Sequence, residues 1–219
     1  MTIPPASEGG VTDAPPVVIV AGFVLCGLAT TMAMLEAGGL QVAGGAHAPT
    51  YEIPQTAHRI DAFVRGVFGP YGVADEVLKQ LPQPIHEMGG ALDAAWFKSL
   101  HGQAVKLVNP HLMKPIPCGN YRVIWLDRDE LERARAWLEY VGAPTTGMFC
   151  HIIQNYFTTN RSAARSALLD AGGTILDIQH RDLFGDHDHR VAVIDRIVDF
   201  LGMPLDRAAM LARSMAPAW

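Results

Sequence analysis

Two glycines five residues apart, between an apolar run and a helical pattern, constrain the fold of this chain more than any other feature. The β-branched run at residues 17–21 predicts a buried parallel strand. Gly22-Phe-Val-Leu-Cys-Gly27 follows directly, and residues 28–37 have the pattern of a helix that ends at Gly38. A Gly-x4-Gly turn between a strand and a helix is the frame of a phosphate-binding loop, whose backbone amides point at an anion. The alternative is that the glycines only allow the strand and the helix to pack closely.

This loop keeps the glycine frame of a phosphate site without its charged and hydroxyl side chains. Nucleotide-hydrolysing loops need Lys and then Ser or Thr directly after the second glycine, whereas this chain has Leu28 and Ala29 there. The lysine would bind the phosphates and the hydroxyl would bind Mg²⁺, so their loss argues against ordinary Mg²⁺-dependent hydrolysis of ATP or GTP. A divergent small-molecule kinase stays open as an alternative enzyme, although the missing lysine counts against it.

The alternation of strands and helices predicts the fold class. Short apolar runs predict strands at residues 17–21, 40–43, 104–108, 121–126 and 174–178. Helical patterns lie at residues 28–37, 56–67, 92–100, 129–141, 189–201 and 204–215, and residues 145–171 have the pattern of one long helix or of two. Because no strand pair is joined by a two-residue turn, we expect a three-layer α/β fold with a central parallel sheet of about five strands flanked by helices. Residues 1–16 predict a flexible tail, and residues 17–219 predict one domain.

Charge and composition narrow the class of partner. The net charge of −5 at pH 7 argues against a nucleic-acid binder, which carries a basic field. Residues 17–35 carry no charge, but residues 1–16 contain no Lys or Arg and the run contains two glycines, so we expect no membrane span. The three cysteines form no Cys-x-x-Cys pair, which favours a reducing compartment and a cytoplasmic location.

A series of short segments extends the pattern beyond the loop. In chain order they are Met34-Leu-Glu-Ala-Gly-Gly-Leu40, Tyr51-Glu52, Gly102-Gln-Ala-Val-Lys106, the strand before Arg128-Asp129, Asp177-Ile-Gln-His-Arg-Asp-Leu183 and Phe200-Leu-Gly202. In this order the segments resemble the bacterial sulfotransferase family, whose members have a P-loop fold. The resemblance covers nearly the whole chain after the tail, and it is the shared order of the segments that is specific.

The resemblance implies a donor, 3′-phosphoadenosine 5′-phosphosulfate, and a set of residues to hold it. In the family the loop holds the 5′-phosphate, and an Arg and a Ser at the end of the third strand hold the 3′-phosphate. Carried over position by position, the donor-binding residues are Gly22, Val24, Leu25, Cys26, Gly27, Leu28 and Arg128.

Most of these positions have lost the side chain that the family uses. Val24, Leu25 and Cys26 stand for a Pro, a basic residue and a Ser, and Leu28 stands for the Thr of a Thr-Ser pair. The Ser eight residues after the retained Arg is Ala136. The donor site is therefore expected to be degenerate, with both glycines and Arg128 kept.

Two residues are candidates for catalysis under the same resemblance. Lys106 is kept on its strand, and Lys is unusual inside an apolar strand. The eukaryotic branch has a general-base His two residues beyond that Lys, where this chain has Val108, so His111 is the nearby substitute.

For Arg128, the competing interpretation is a cap-region ion pair with Glu132 at i+4. The contiguous Asp186-His-Asp-His189 segment suggests a helix start with an Asp cap, and we expect no metal site there.

The sequence thus predicts a sulfotransferase-like protein that transfers a sulfuryl group to a small acceptor of unknown identity, with activity weak or lost because the loop is degenerate. Backbone amides at the helix start would still bind an anion. The non-enzyme alternative is a binding module on the same fold, in which Phe23-Val-Leu-Cys26 packs against a partner protein or a second copy of the chain.

Overall fold

The computed structural model describes residues 14–43, 72, 94–108, 110, 116–140 and 145–216. They contain five strands: β1 (Val17–Gly22), β2 (Gln41–Val42), β3 (Gln103–Val108), β4 (Tyr121–Asp127) and β5 (Gly173–Gln179). The strands form one sheet in the order β2-β3-β1-β4-β5, and every neighbouring pair is parallel. The predicted parallel α/β sheet is therefore confirmed.

Helices connect the strands and cover both faces of the sheet. They are α1 (Leu28–Ala37), α2 (Ala94–Ser99), α3 (Glu130–Tyr140), α4 (Met148–Asp170), α5 (His180–Leu183), α6 (His187–Leu201) and α7 (Arg207–Met215). Side chains of β4 point alternately to the two faces: Arg122 lies against Phe200 of α6, whereas Trp125 lies against Arg165 of α4. One outer layer thus holds α1, α6 and α7, which contact one another, and the other holds α3 and α4.

Element boundaries differ from the sequence prediction at three helices. The segment predicted at residues 145–171 forms a single helix, which runs from Met148 to Asp170. The helix predicted from residue 189 begins at His187, because the Asp186 carboxylate accepts the backbone N–H of His189 and caps the first turn. The helix predicted from residue 204 begins at Arg207, where Asp206 accepts from Ala209, so the proline lies outside the helix.

Several predictions fall on residues outside the described ranges. The helix expected at residues 56–67 lies wholly outside them, as does most of the expected tail. The last two residues of that tail are held by hydrogen bonds: the Pro16 carbonyl accepts from the Gly102 amide at 3.1 Å, and the Pro15 carbonyl lies 3.1 Å from Nδ1 of His101.

The core is centred on β1, the middle strand of the sheet. All six residues of β1 are buried, and apolar side chains of the neighbouring strands and of both helix layers surround them. A strand buried on both faces reads as a continuous hydrophobic run, which is why residues 17–21 gave a clear signal. Across the described ranges, no helix combines the length and the apolar character that crossing a membrane requires.

Candidate anion site at the carboxyl edge of the sheet

Packing requires glycine at both ends of the loop that follows β1. A Cβ on Gly22 would lie 2.6 Å from the Leu126 carbonyl oxygen of β4. Gly27 has a φ of +93°, and a Cβ there would lie 2.8 Å from both the Leu183 and the Phe184 side chains. The glycine spacing is thus explained by close packing alone, so an anion-binding role has to rest on other features of the loop.

The side chains of the loop point mostly into the protein. Phe23 and Cys26 are fully buried and Leu28 is nearly so, whereas Leu25 is 37% exposed. Leu25 is also the one non-glycine residue with a positive φ, +61°, in the described ranges. Helix α1 begins after Gly27 without a side-chain cap, so its first-turn amides lack the capping acceptor that most helices have.

Arg128 is the residue that links the neighbouring strand to this loop. It follows β4 directly, and its Nη1 donates a hydrogen bond of 3.1 Å to the Leu25 carbonyl oxygen. Its Nε also lies 3.7 Å from the Glu132 carboxylate. Both interpretations of Arg128 therefore have a structural counterpart: it reaches the loop, and it pairs with Glu132 at i+4. The Arg128 side chain is 21% exposed, although its Nε is buried.

A buried arginine lies beneath the loop, and the sequence interpretation missed it. The side chain of Arg133 on α3 is 0% exposed, and its Nη2 donates to the Asp127 carboxylate at 2.9 Å and to the Arg128 carbonyl. Its guanidinium carbon lies 5.0 Å from the ring centres of both Phe23 and Phe157. Arg133 falls on the buried stripe of α3 with Ala134, Trp137 and Leu138, and that helical spacing was the available signal.

The ion pair at Asp127 joins several elements under the loop. Besides Arg133, the carboxylate of Asp127 contacts the Arg161 guanidinium of α4 and accepts the Arg128 amide at 3.1 Å. Burial raises the pKa of the Cys26 thiol, and the nearby Arg133 only partly offsets that effect. Cys26 is thus a neutral buried thiol in the loop, and it supplies no charge for an anion.

His180 lies at the same edge, immediately after β5. Its ring stacks on the Phe184 ring with 4.5 Å between centres, and Phe184 in turn packs against Gly27. Partial burial lowers the pKa of His180, and the charge of Arg128 lowers it further. The imidazole is therefore neutral at pH 7, next to a cation.

The remaining candidates are Lys106, Ala136 and His111. Lys106 lies on β3 opposite Val20, two residues before the strand ends, and is half-buried. Ala136 is half-buried on α3. His111 lies outside the described residues. The structure therefore brings together the loop, Arg128 and His180. The expected catalytic pair of Lys106 and His111 stays a prediction, because His111 lies outside the described residues.

A metal-ion site has no support in the described ranges, where no three His, Cys, Asp or Glu side chains come together to hold a metal ion. Asp186 and His189 pair with each other at the start of α6, where the Asp186 carboxylate also caps the helix. The hydrogen bond from the His189 backbone amide, followed by that from its ring, lowers the pKa of Asp186, and the bond to Asp186 raises the pKa of His189.

Together, the fold and the site define an α/β protein with a parallel sheet and a cluster of polar groups at its carboxyl edge, where ligands of open α/β sheets bind. No known protein-family model matches the chain, and no curated protein matches it.

Proposed function

We propose that this chain is a sulfotransferase-like protein that binds an anionic nucleotide at the carboxyl edge of the sheet and has weak or no sulfuryl-transfer activity. The observation that carries the proposal is the 3.1 Å hydrogen bond from Arg128 to the Leu25 carbonyl. The contact joins Arg128, a cation kept from the family pattern, to the loop expected to hold the donor. The α1 amides and Arg128 together offer hydrogen-bond donors to one phosphate or sulfate group.

The proposed loss of activity rests on what the loop lacks. Sulfuryl transfer builds charge on the leaving phosphate oxygen, and removing one preorganised donor of this kind costs about 10²–10³ in rate. Leu25 and Cys26 replace the family's basic residue and hydroxyl, and Cys26 and Leu28 are buried. An anion placed beside apolar groups loses hydrogen bonds to water, and each one that the protein does not replace costs roughly 2 kcal/mol or more. Several such costs together remove micromolar affinity for the donor, 3′-phosphoadenosine 5′-phosphosulfate.

The kinase alternative is weakened by the state of Asp127. This carboxylate ends β4, beside the loop strand, where a magnesium-dependent enzyme would use an acidic side chain. Here it is buried and engaged by Arg133 and Arg161, so a cation would have to displace two guanidinium groups.

The non-catalytic alternative is favoured by one observation, the exposure of Leu25 at the tip of the loop, which would suit contact with a partner protein or a second copy.

Calorimetric titration with 3′-phosphoadenosine 5′-phosphate, the desulfated product of the donor, tests the binding site. We expect the wild type to bind more weakly than about 10 μM, and Arg128→Ala to weaken binding by a further tenfold or more, because a charged hydrogen bond contributes about 1.5–3 kcal/mol. Arg135→Ala is the matched control, since Arg135 is exposed on the adjoining helix α3 and carries the same charge. Equal affinity in the Arg128 and Arg135 variants would place the site elsewhere.

A turnover assay tests the catalytic part of the proposal separately. The purified protein is incubated with labelled donor and a panel of phenols, alcohols, amines and sugars, and we expect little or no transfer. Robust turnover that depends on Lys106 or His111 would contradict the proposed loss of activity and would show that the altered loop is compatible with catalysis.

A further inference from the structure

Arg128 and His180 leave the sheet side by side. Asp127 and Gln179 are paired at the ends of the neighbouring parallel strands β4 and β5, and Arg128 and His180 are the next residue of each strand. Neighbouring strands run about 4.8 Å apart, so the two side chains start from adjacent positions at the carboxyl edge. This places an arginine and a histidine next to each other where a ligand of this fold would bind.

The His180 ring has a fixed position but no hydrogen-bond partner among the described residues. The ring stacks on Phe184, and Phe184 packs against Gly27, the last residue before α1. This chain of contacts connects the imidazole to the start of α1, whose first-turn amides lack a cap. His180 as a whole is half-buried.

Charged groups from two other segments act on His180. Arg128 and Arg133 lower its pKa, Glu132 raises it, and partial burial is the largest effect, which lowers it. On its own helix, Arg181 pairs with Asp182. From α6, which packs against α5, the charged groups at its start pair with each other or with backbone: Asp186 with His189, Asp188 with His187, and Arg190 with the Gly185 carbonyl.

We propose that His180 is a second anion-binding group of the Arg128 site, and that its imidazole takes up one proton from solvent when inorganic sulfate or a dianionic phosphate monoester binds there. The inference rests on the proposed function, because it requires an anion at Arg128. An anion would compensate the positive charge that disfavours protonation of His180. The protonated ring would then donate a hydrogen bond to the ligand alongside Arg128.

The coupling has a defined sign. In the free protein the pKa of His180 is below its usual value of 6.5. In the complex, the negative charge of the bound anion raises this pKa above its value in the free protein. Binding therefore takes up a proton between these two pKa values, and affinity increases as pH falls through that window, by up to about tenfold per pH unit for one proton. Above the window affinity is constant, because His180 is neutral in both states.

Inorganic sulfate is the probe, because it does not titrate near neutral pH. Histidine resonances of the full chain are followed by NMR during sulfate titrations from about pH 8 to about pH 5.5. We expect the His180 pKa to rise in the presence of sulfate, and the pH dependence of sulfate affinity to be lost in His180→Gln. His189→Gln, which removes an exposed imidazole, serves as the control and should keep the pH dependence.

The outcomes separate the two proposals. If sulfate binds with an affinity that depends on Arg128 but not on pH, and the His180 resonance does not respond, the inference about His180 is wrong and the proposed anion site stands. If neither sulfate nor 3′-phosphoadenosine 5′-phosphate binds the wild type, both proposals are overturned. A pH dependence that persists in His180→Gln would also overturn the role of His180.

Discussion

Replacing Asp127 with alanine should destabilise the protein severely, because it leaves Arg133 charged and buried without its partner. The Arg133 side chain is 0% exposed, and its Nε and Nη1 have no hydrogen-bond partner among the described residues. Its stabilising contacts are the 2.9 Å pair with Asp127, the Arg128 carbonyl and the two phenylalanine rings. Removing one partner of a buried ion pair costs about 3–5 kcal/mol. We expect a loss of that size, which lowers Tm by about 6–20 °C in a chain of this length.

Urea unfolding at pH 7 measures this loss, and a double-mutant cycle assigns it to the charge on Arg133. Arg133→Met keeps the packing volume between the rings and removes the charge, so the double variant Asp127→Ala/Arg133→Met should recover more than half of the loss. Asp195→Ala is the control, because it removes a half-exposed partner of Arg207 and should cost at most about 1 kcal/mol. An Asp127→Ala variant within about 1 kcal/mol of wild type, or a double variant no more stable than Asp127→Ala, would refute the reasoning.

Two further predictions concern the glycines and the thiols. Gly27→Ala and Gly39→Ala both place a Cβ at a φ near +93°, but only the Cβ at position 27 would make a close contact. Urea unfolding should therefore show the Gly27 variant to be less stable than the Gly39 variant by about 1–3 kcal/mol. Equal losses of stability would mean that α5 moves to accommodate the added methyl group at no cost. In the folded protein at about pH 8, iodoacetamide should label the exposed Cys118 quickly and the buried Cys26 and Cys150 slowly, and burial also raises the pKa of Cys26. Mass spectrometry measures the labelling of each thiol. Labelling of Cys26 as fast as that of Cys118 would contradict this prediction.

The sequence alone determined the architecture because its signals are local. The β-branched run at residues 17–21 is continuous since β1 is buried on both faces, and the two-glycine turn after it marks the change from strand to helix. The alternation of strands and helices then permits few topologies, and a parallel sheet is the one that forms. Helix starts were less exact, because Asp206, and not the nearby proline, supplies the cap that begins α7.

The resemblance already paired Arg128 with the loop, but only the tertiary structure decided which further residues join them at the candidate site. Arg128 and Leu25 are 103 residues apart in the chain, and the hydrogen bond between them exists because β4 lies beside β1. His180 joins them only because β5 ends level with β4. In the sequence Arg133 is one of several arginines in a helical segment, and only the fold shows that Asp127 and two aromatic rings surround it. Sequence periodicity reports which side of an element is buried, whereas strand order decides which distant groups share one edge of the sheet.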